Sequence, residues 1–164
     1  MKAGFAVVLA GSLVAAACGT PAGLPDPGSC PSTLAGLEGP PDTRTYITAV
    51  IGALDEFQDI DQDFRAEWPD REIHTTNSFR GDFVQFQHRT QCLANDVVAA
   101  GTPAGLETVV MDLHAYLALI NDSIAMGAEA VDTRNASAYN DWIKEIDVLV
   151  VGYTDYQARL LAQR

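Results

Sequence analysis

The sequence predicts an all-α protein: an antiparallel, up-down-up-down four-helix bundle that follows an apolar leader and a Pro/Gly-rich tether. Three observations predict it. Apolar residues recur at alternating steps of three and four through four successive segments after residue 41, the signature of a helix-bundle seam. The links between those segments are short and built of proline, glycine and capping residues, which makes sequential helices antiparallel neighbours. No stretch shows the period-two alternation of a half-buried strand. A chain of 164 residues accommodates one such core.

Each element has its own justification. Residues 19–41 hold six of the eight prolines (Pro21, Pro25, Pro27, Pro31, Pro40, Pro41) and exclude regular structure; they read as a tether. The first helix, about 43–68, starts behind Asp42 as its cap and stops at Trp68-Pro69, because proline disfavours helix in the residue before it. Its seam is Ile47, Val50, Leu54, Phe57, Asp61, Phe64 and Trp68. The second helix, about 71–99, carries Phe79, Phe83, Phe86, Thr90, Leu93 and Val97, and Gly101 can end it in a left-handed turn. Thr102-Pro103 supplies a cap and a first-turn proline for the third, about 103–131, whose seam runs Leu106, Val110, Leu113, Leu117, Ile120, Ile124, Gly127 and Val131. The fourth, about 137–162, is capped by Asn135 or Ser137 and carries Tyr139, Trp142, Ile146, Leu149, Tyr153, Tyr156 and Leu160.

Residues 1–17 read as an export signal: one cation, Lys2, precedes an apolar run interrupted only by Gly11 and Ser12 and too short to span a bilayer. The run ends Leu13-Val14-Ala15-Ala16-Ala17-Cys18. That segment resembles the lipobox of bacterial membrane lipoproteins, although Ala15 stands where leucine is commonest. The resemblance implies cleavage before Cys18 and palmitate-type acylation of it. The membrane would then be a partner through lipid alone, and residues 42–164 would sit on the extracytoplasmic side, periplasmic or cell-surface. An ordinary signal peptide cut after Ala15-Ala16-Ala17 is the alternative.

Cysteine usage agrees with export. With Cys18 acylated, Cys30 and Cys92 remain and are expected to pair, closing a loop of about 60 residues that contributes roughly 4 kcal/mol by chain entropy. In the up-down-up-down topology the start of the first helix and the end of the second share one end of the bundle, so Cys30 can reach Cys92, expected on the outward face beside Leu93. No Cys-x-x-Cys spacing occurs, and a metal site at these cysteines is not expected. The formal charge of −12 disfavours nucleic acid and anionic lipid headgroups as partners.

The end of the bundle away from the tether collects Phe57, Phe64, Trp68, Phe79, Phe83, Tyr139 and Trp142, opposite the small residues Ser123, Ala125, Gly127 and Ala128 of the third segment. These interdigitate as a solid core, or they line a pocket for an apolar or cationic ligand. Asp61, a carboxylate on a seam, must be paired, wetted at the rim or in contact with a ligand; counting from the turn at Pro69 places it level with Arg80. The alternating aspartates Asp59, Asp61 and Asp63 lack the glycine a calcium loop needs, because Phe64 holds its sixth place. His74, His88 and His114 miss the seams, and no Glu-x-x-His pair or haem-attachment motif occurs, so no cofactor is expected. Nucleophile-elbow, phosphate-loop and zinc-protease motifs are absent, so the expectation is not an enzyme. Two functions remain: a tethered binding or scaffolding module for another envelope protein, and a small-molecule-binding bundle. A cavity of roughly 300 Å³ or more at the aromatic end favours the second, a filled core the first.

Overall fold

The computed structural model describes residues 29, 30, 34, 37, 39, 41–69 and 76–164. The leader, Cys18 and most of the tether lie outside them. The protein is an all-α four-helix bundle, and no strand occurs among the described residues.

Helix α1 spans Thr43–Glu67. The Asp42 carboxylate accepts from the Thr45 N–H at 3.0 Å, and at the other end Trp68, preceding Pro69, leaves the helical region (φ −124°, ψ 70°). Helix α2 is Asn77–Ala99, its first turn capped by the Thr76 hydroxyl, which accepts from Phe79 N–H at 3.3 Å. The expected start at residue 71 falls outside the described residues. Gly101 does not take the expected left-handed conformation. Its missing side chain serves a close crossing instead: Gly101 N–H donates to Leu37 O at 2.6 Å, and a Cβ there would lie 2.2 Å from Gly39 O.

Helix α3 spans Glu107–Asp132 and begins four residues later than the Thr102-Pro103 cap implies. The reason is Gly105, whose φ of +88° cannot belong to a helix; its N–H is held by the Glu107 carboxylate at 3.0 Å. Helix α3 is long and apolar enough by length and composition to cross a membrane, and it packs against its neighbours on both sides. Helix α4, Ala136–Leu149, starts under the Asn135 side chain, which accepts from Ala138 N–H at 3.1 Å.

The fourth column is not one helix. It breaks at Val150–Val151, and α5 runs Gly152–Leu161. A continued helix would spend the Leu149 carbonyl on Tyr153 N–H, but that N–H turns to Val150 O at 3.3 Å, and the Tyr116 hydroxyl of α3 donates to Leu149 O at 2.7 Å. Gly152 leaves room for the wedge, since a Cβ there would sit 2.6 Å from the Tyr116 ring.

Helices adjacent in sequence are adjacent in space, and α5 closes the ring against α1. Antiparallel direction shows in the pairs Arg65–Asp147, Asp55–Gln157 and Thr48–Arg164, which run oppositely along the two columns. The seam residues are buried, apart from Asp61, Phe64, Trp68, Leu149 and Tyr156, which are half-buried. Three of those five, Asp61, Phe64 and Trp68, border the gap left where α4, unlike α5, stands off from α1. At the tether end a disulfide joins Cys30 to Cys92 across 62 positions. Cys92 is buried there, not outward-facing.

Candidate binding cleft and the cysteine site

The gap between α1 and α4 forms a cleft of about 210 Å³ lined by Asp61, Phe64, Arg65, Trp68, Pro69, Tyr139, Trp142 and Ile143. Of the residues the sequence proposed for a pocket, Asp61, Phe64, Trp68, Tyr139 and Trp142 meet here. The others go elsewhere. Phe79 and Phe83 are fully buried behind the cleft, in edge contacts with Tyr139 (5.6 Å) and Trp142 (5.2 Å) respectively. Phe64 stacks on Phe86 at 4.7 Å, and Trp68 sets its edge against Phe79 at 5.1 Å. Phe57 belongs to a separate group nearer the helix break, stacked on Tyr153 at 5.2 Å. Gly127 seats the Trp142 ring, which a Cβ would meet at 2.6 Å, while Ala125 points outward. Large against small, this end is filled.

Asp61 and Arg80 do not pair. Asp61 accepts from Arg65 Nε at 2.8 Å one turn along its own helix, and Arg65 reaches across the gap to Asp147 of α4 at 2.5 Å. The i,i+4 neighbour wins because it needs no particular inter-helix register. Arg80 turns to Asp132 at the end of α3, 2.6 Å away. Burial opposes the charge on Arg65, but the hydrogen bonds and charges of Asp61 and then Asp147 outweigh it and raise the guanidinium's pKa. Two carboxylates thus share one guanidinium beside the aromatic rings of the cleft. Burial pushes the Tyr139 hydroxyl up to about 12, against the opposing charge of Arg65, so it stays protonated.

On the far side of Trp142 an open groove of about 390 Å³ runs between α3 and α4, bordered by Met126, Glu129, Asp141 and Glu145. Trp142 is the one aromatic ring on it, and of the residues the sequence proposed for a pocket only Trp142 lines it.

At the opposite end the imidazole of His88 lies against the disulfide, with Nε2 3.5 Å and Nδ1 3.9 Å from Cys92 Sγ. Sulfur and nitrogen atoms of Cys30, His88 and Cys92 all lie within 4.8 Å of one another. His88 precedes Cys92 by four residues, one helical turn, and that spacing was the available signal.

No known protein family, curated protein or solved structure matches the chain. The fold and its sites are the basis for function.

Proposed function

We propose that the protein is a lipid-tethered, extracytoplasmic, non-enzymatic binding module that presents its α1–α4 cleft to another envelope protein. The observation that carries this reading is the size of the cleft: about 210 Å³ beside a filled aromatic core, below the roughly 300 Å³ at which ligand pockets begin. Such a recess suits one side chain of a partner. Rings of Trp68, Tyr139 and Trp142, with the Asp61 carboxylate on the same cleft, favour a cationic one, lysine or arginine. The tether and Cys18 would hold the protein at the membrane, with that surface at the end of the bundle away from it.

Two measurements test this. Labelled palmitate fed to a bacterial host should enter the parent chain and not Cys18→Ala, which should leave the membrane fraction; equal labelling removes the anchor from the proposal. A photo-crosslinking side chain at position 68 should then capture a discrete protein partner, and Asp61→Asn with Asp147→Asn should abolish capture. A small molecule retained by the purified protein in native mass spectrometry, and lost on Trp142→Ala, would instead favour the small-molecule bundle.

A further inference from the structure

Cys30, His88 and Cys92 bring two sulfurs and an imidazole together from two parts of the chain that only the fold unites. We propose that they form a redox-gated site for a thiophilic divalent cation of the zinc class, closed while the disulfide is intact and opened by a dithiol reductant.

The spacing of the ligand atoms suits a metal. A tetrahedral ion with zinc–sulfur and zinc–nitrogen bonds of roughly 2.3 and 2.05 Å holds those ligand atoms about 3.6 Å apart. His88 Nε2 already lies 3.5 Å from Cys92 Sγ. One turn of α2 therefore supplies two ligands at the required spacing, on a helix braced by the core. Only the third ligand must move. Cys30 is exposed and lies outside any helix, so its sulfur can withdraw from Cys92 once the bond between them is cut. An exposed cysteine also gives reductant and ion a way in. The protein's strongly negative charge favours cation approach.

The chemistry balances in two steps. A dithiol gives two electrons and two protons to the Cys30–Cys92 disulfide, becoming a disulfide itself and leaving two thiols. A divalent cation then displaces both thiol protons and takes two thiolates and the neutral His88 imidazole as ligands, with water in the fourth position. Oxidation and metal binding are mutually exclusive, because the same sulfurs carry both. The loop closed covalently in the oxidised state is closed by the ion in the reduced one.

The test uses the full-length chain carrying Cys18→Ser, so that Cys30 and Cys92 are the only thiols. Reduced with a dithiol, freed of reductant under anaerobic conditions and titrated with Co²⁺, it should bind one ion per chain with a thiolate-to-cobalt charge-transfer band, which Zn²⁺ bleaches. The oxidised chain should show no band. His88→Ala should weaken Co²⁺ binding at least about tenfold with the helical circular dichroism unchanged, and Cys30→Ser should remove the two-thiolate signature. Should reduction alone cost helical signal, Zn²⁺ must restore it. No band on the reduced chain, no recovery with Zn²⁺, or equal affinity in His88→Ala overturns the proposal.

Discussion

Replacing Gly127 by alanine gives opposite results depending on whether the aromatic end is filled. In an unobstructed helix interior the change stabilises, by about 0.5–1 kcal/mol, because alanine loses less backbone freedom on folding. At Gly127 the new methyl would lie 2.6 Å from two ring carbons of Trp142 and 2.9 Å from its Nε1. Trp142 is only 4% exposed and meets Phe83 and Tyr139, so the ring cannot swing away freely. Overpacking of this kind costs about 1–3 kcal/mol, which exceeds the gain. Gly127→Ala should therefore destabilise by roughly 1–2 kcal/mol net, moving the melting temperature down by about 4 °C or more. Gly52→Ala and Gly81→Ala are internal controls, since a Cβ at either meets nothing within 4 Å; both should stabilise. Urea unfolding followed by circular dichroism reads all three, and Gly127→Ala with Trp142→Phe should recover part of the loss. A Gly127→Ala protein as stable as the Gly52 control would show that Trp142 does not occupy the notch, and the filled-core reading would fall.

Other consequences can be checked the same way. Arg65→Met strands the partly buried Asp61 and takes one partner from Asp147, and should cost about 1–2 kcal/mol; melts of Asp61→Asn and Asp61→Leu that both match the parent would show that the Asp61–Arg65 pair contributes nothing. Asn135→Ala removes the cap of α4 and should cost about 1 kcal/mol, read from the urea midpoint. His114 is half-buried with Nε2 lacking a partner, and burial lowers its pKa despite an opposing backbone bond at Val97. The unfolded chain then takes the proton first, so stability should fall as pH drops below about 6.5 through the lowered folded value, and His114→Phe should flatten that part of the stability profile relative to the parent.

The bundle itself was legible because burial follows the three-four spacing, and that spacing survives in the sequence whatever the side chains touch. The break in the fourth column was not. Ile146, Leu149, Tyr153, Tyr156 and Leu160 keep the same apolar rhythm straight across it, because its cause is tertiary: Tyr116 on another helix captures the Leu149 carbonyl. Asp61 is recognisable as an anomaly on a seam, but a seam position points across the bundle toward Arg80, whereas the partner, Arg65, lies one turn away on the same helix. Phe57 was placed with the wrong rings for a related reason, since the residue level with it depends on where α5 begins. The disulfide followed from cysteine parity and topology together. His88 stands at the same four-residue spacing from Cys92, so the expectation that no histidine neighbours the cysteines is corrected: the two share one helical turn.

The irregularity in the fourth column also accounts for the cleft. A straight helix over residues 136–161 that packed on α1 along its length would bring α4 against α1 and leave no space between them. With the helix interrupted at Val150–Val151, α5 closes on α1 while α4 stands off, and Arg65 has a gap to bridge. Tyr116 thus acts on the cleft from a distance, through the bend it holds. Tyr116→Phe keeps the ring and loses the hydroxyl, leaving the Leu149 carbonyl without its donor, at a cost of about 1–3 kcal/mol. If the bend and the cleft are one feature, that variant should also change acrylamide quenching of the two tryptophans, Trp68 and Trp142, both of which line the cleft. Tyr156→Phe, which removes a hydroxyl bonded to Asp112 O at the far side of α5, should leave quenching as it was. Lower stability with unaltered quenching in Tyr116→Phe would separate the two, and the cleft would then owe its width to the aromatic rings alone.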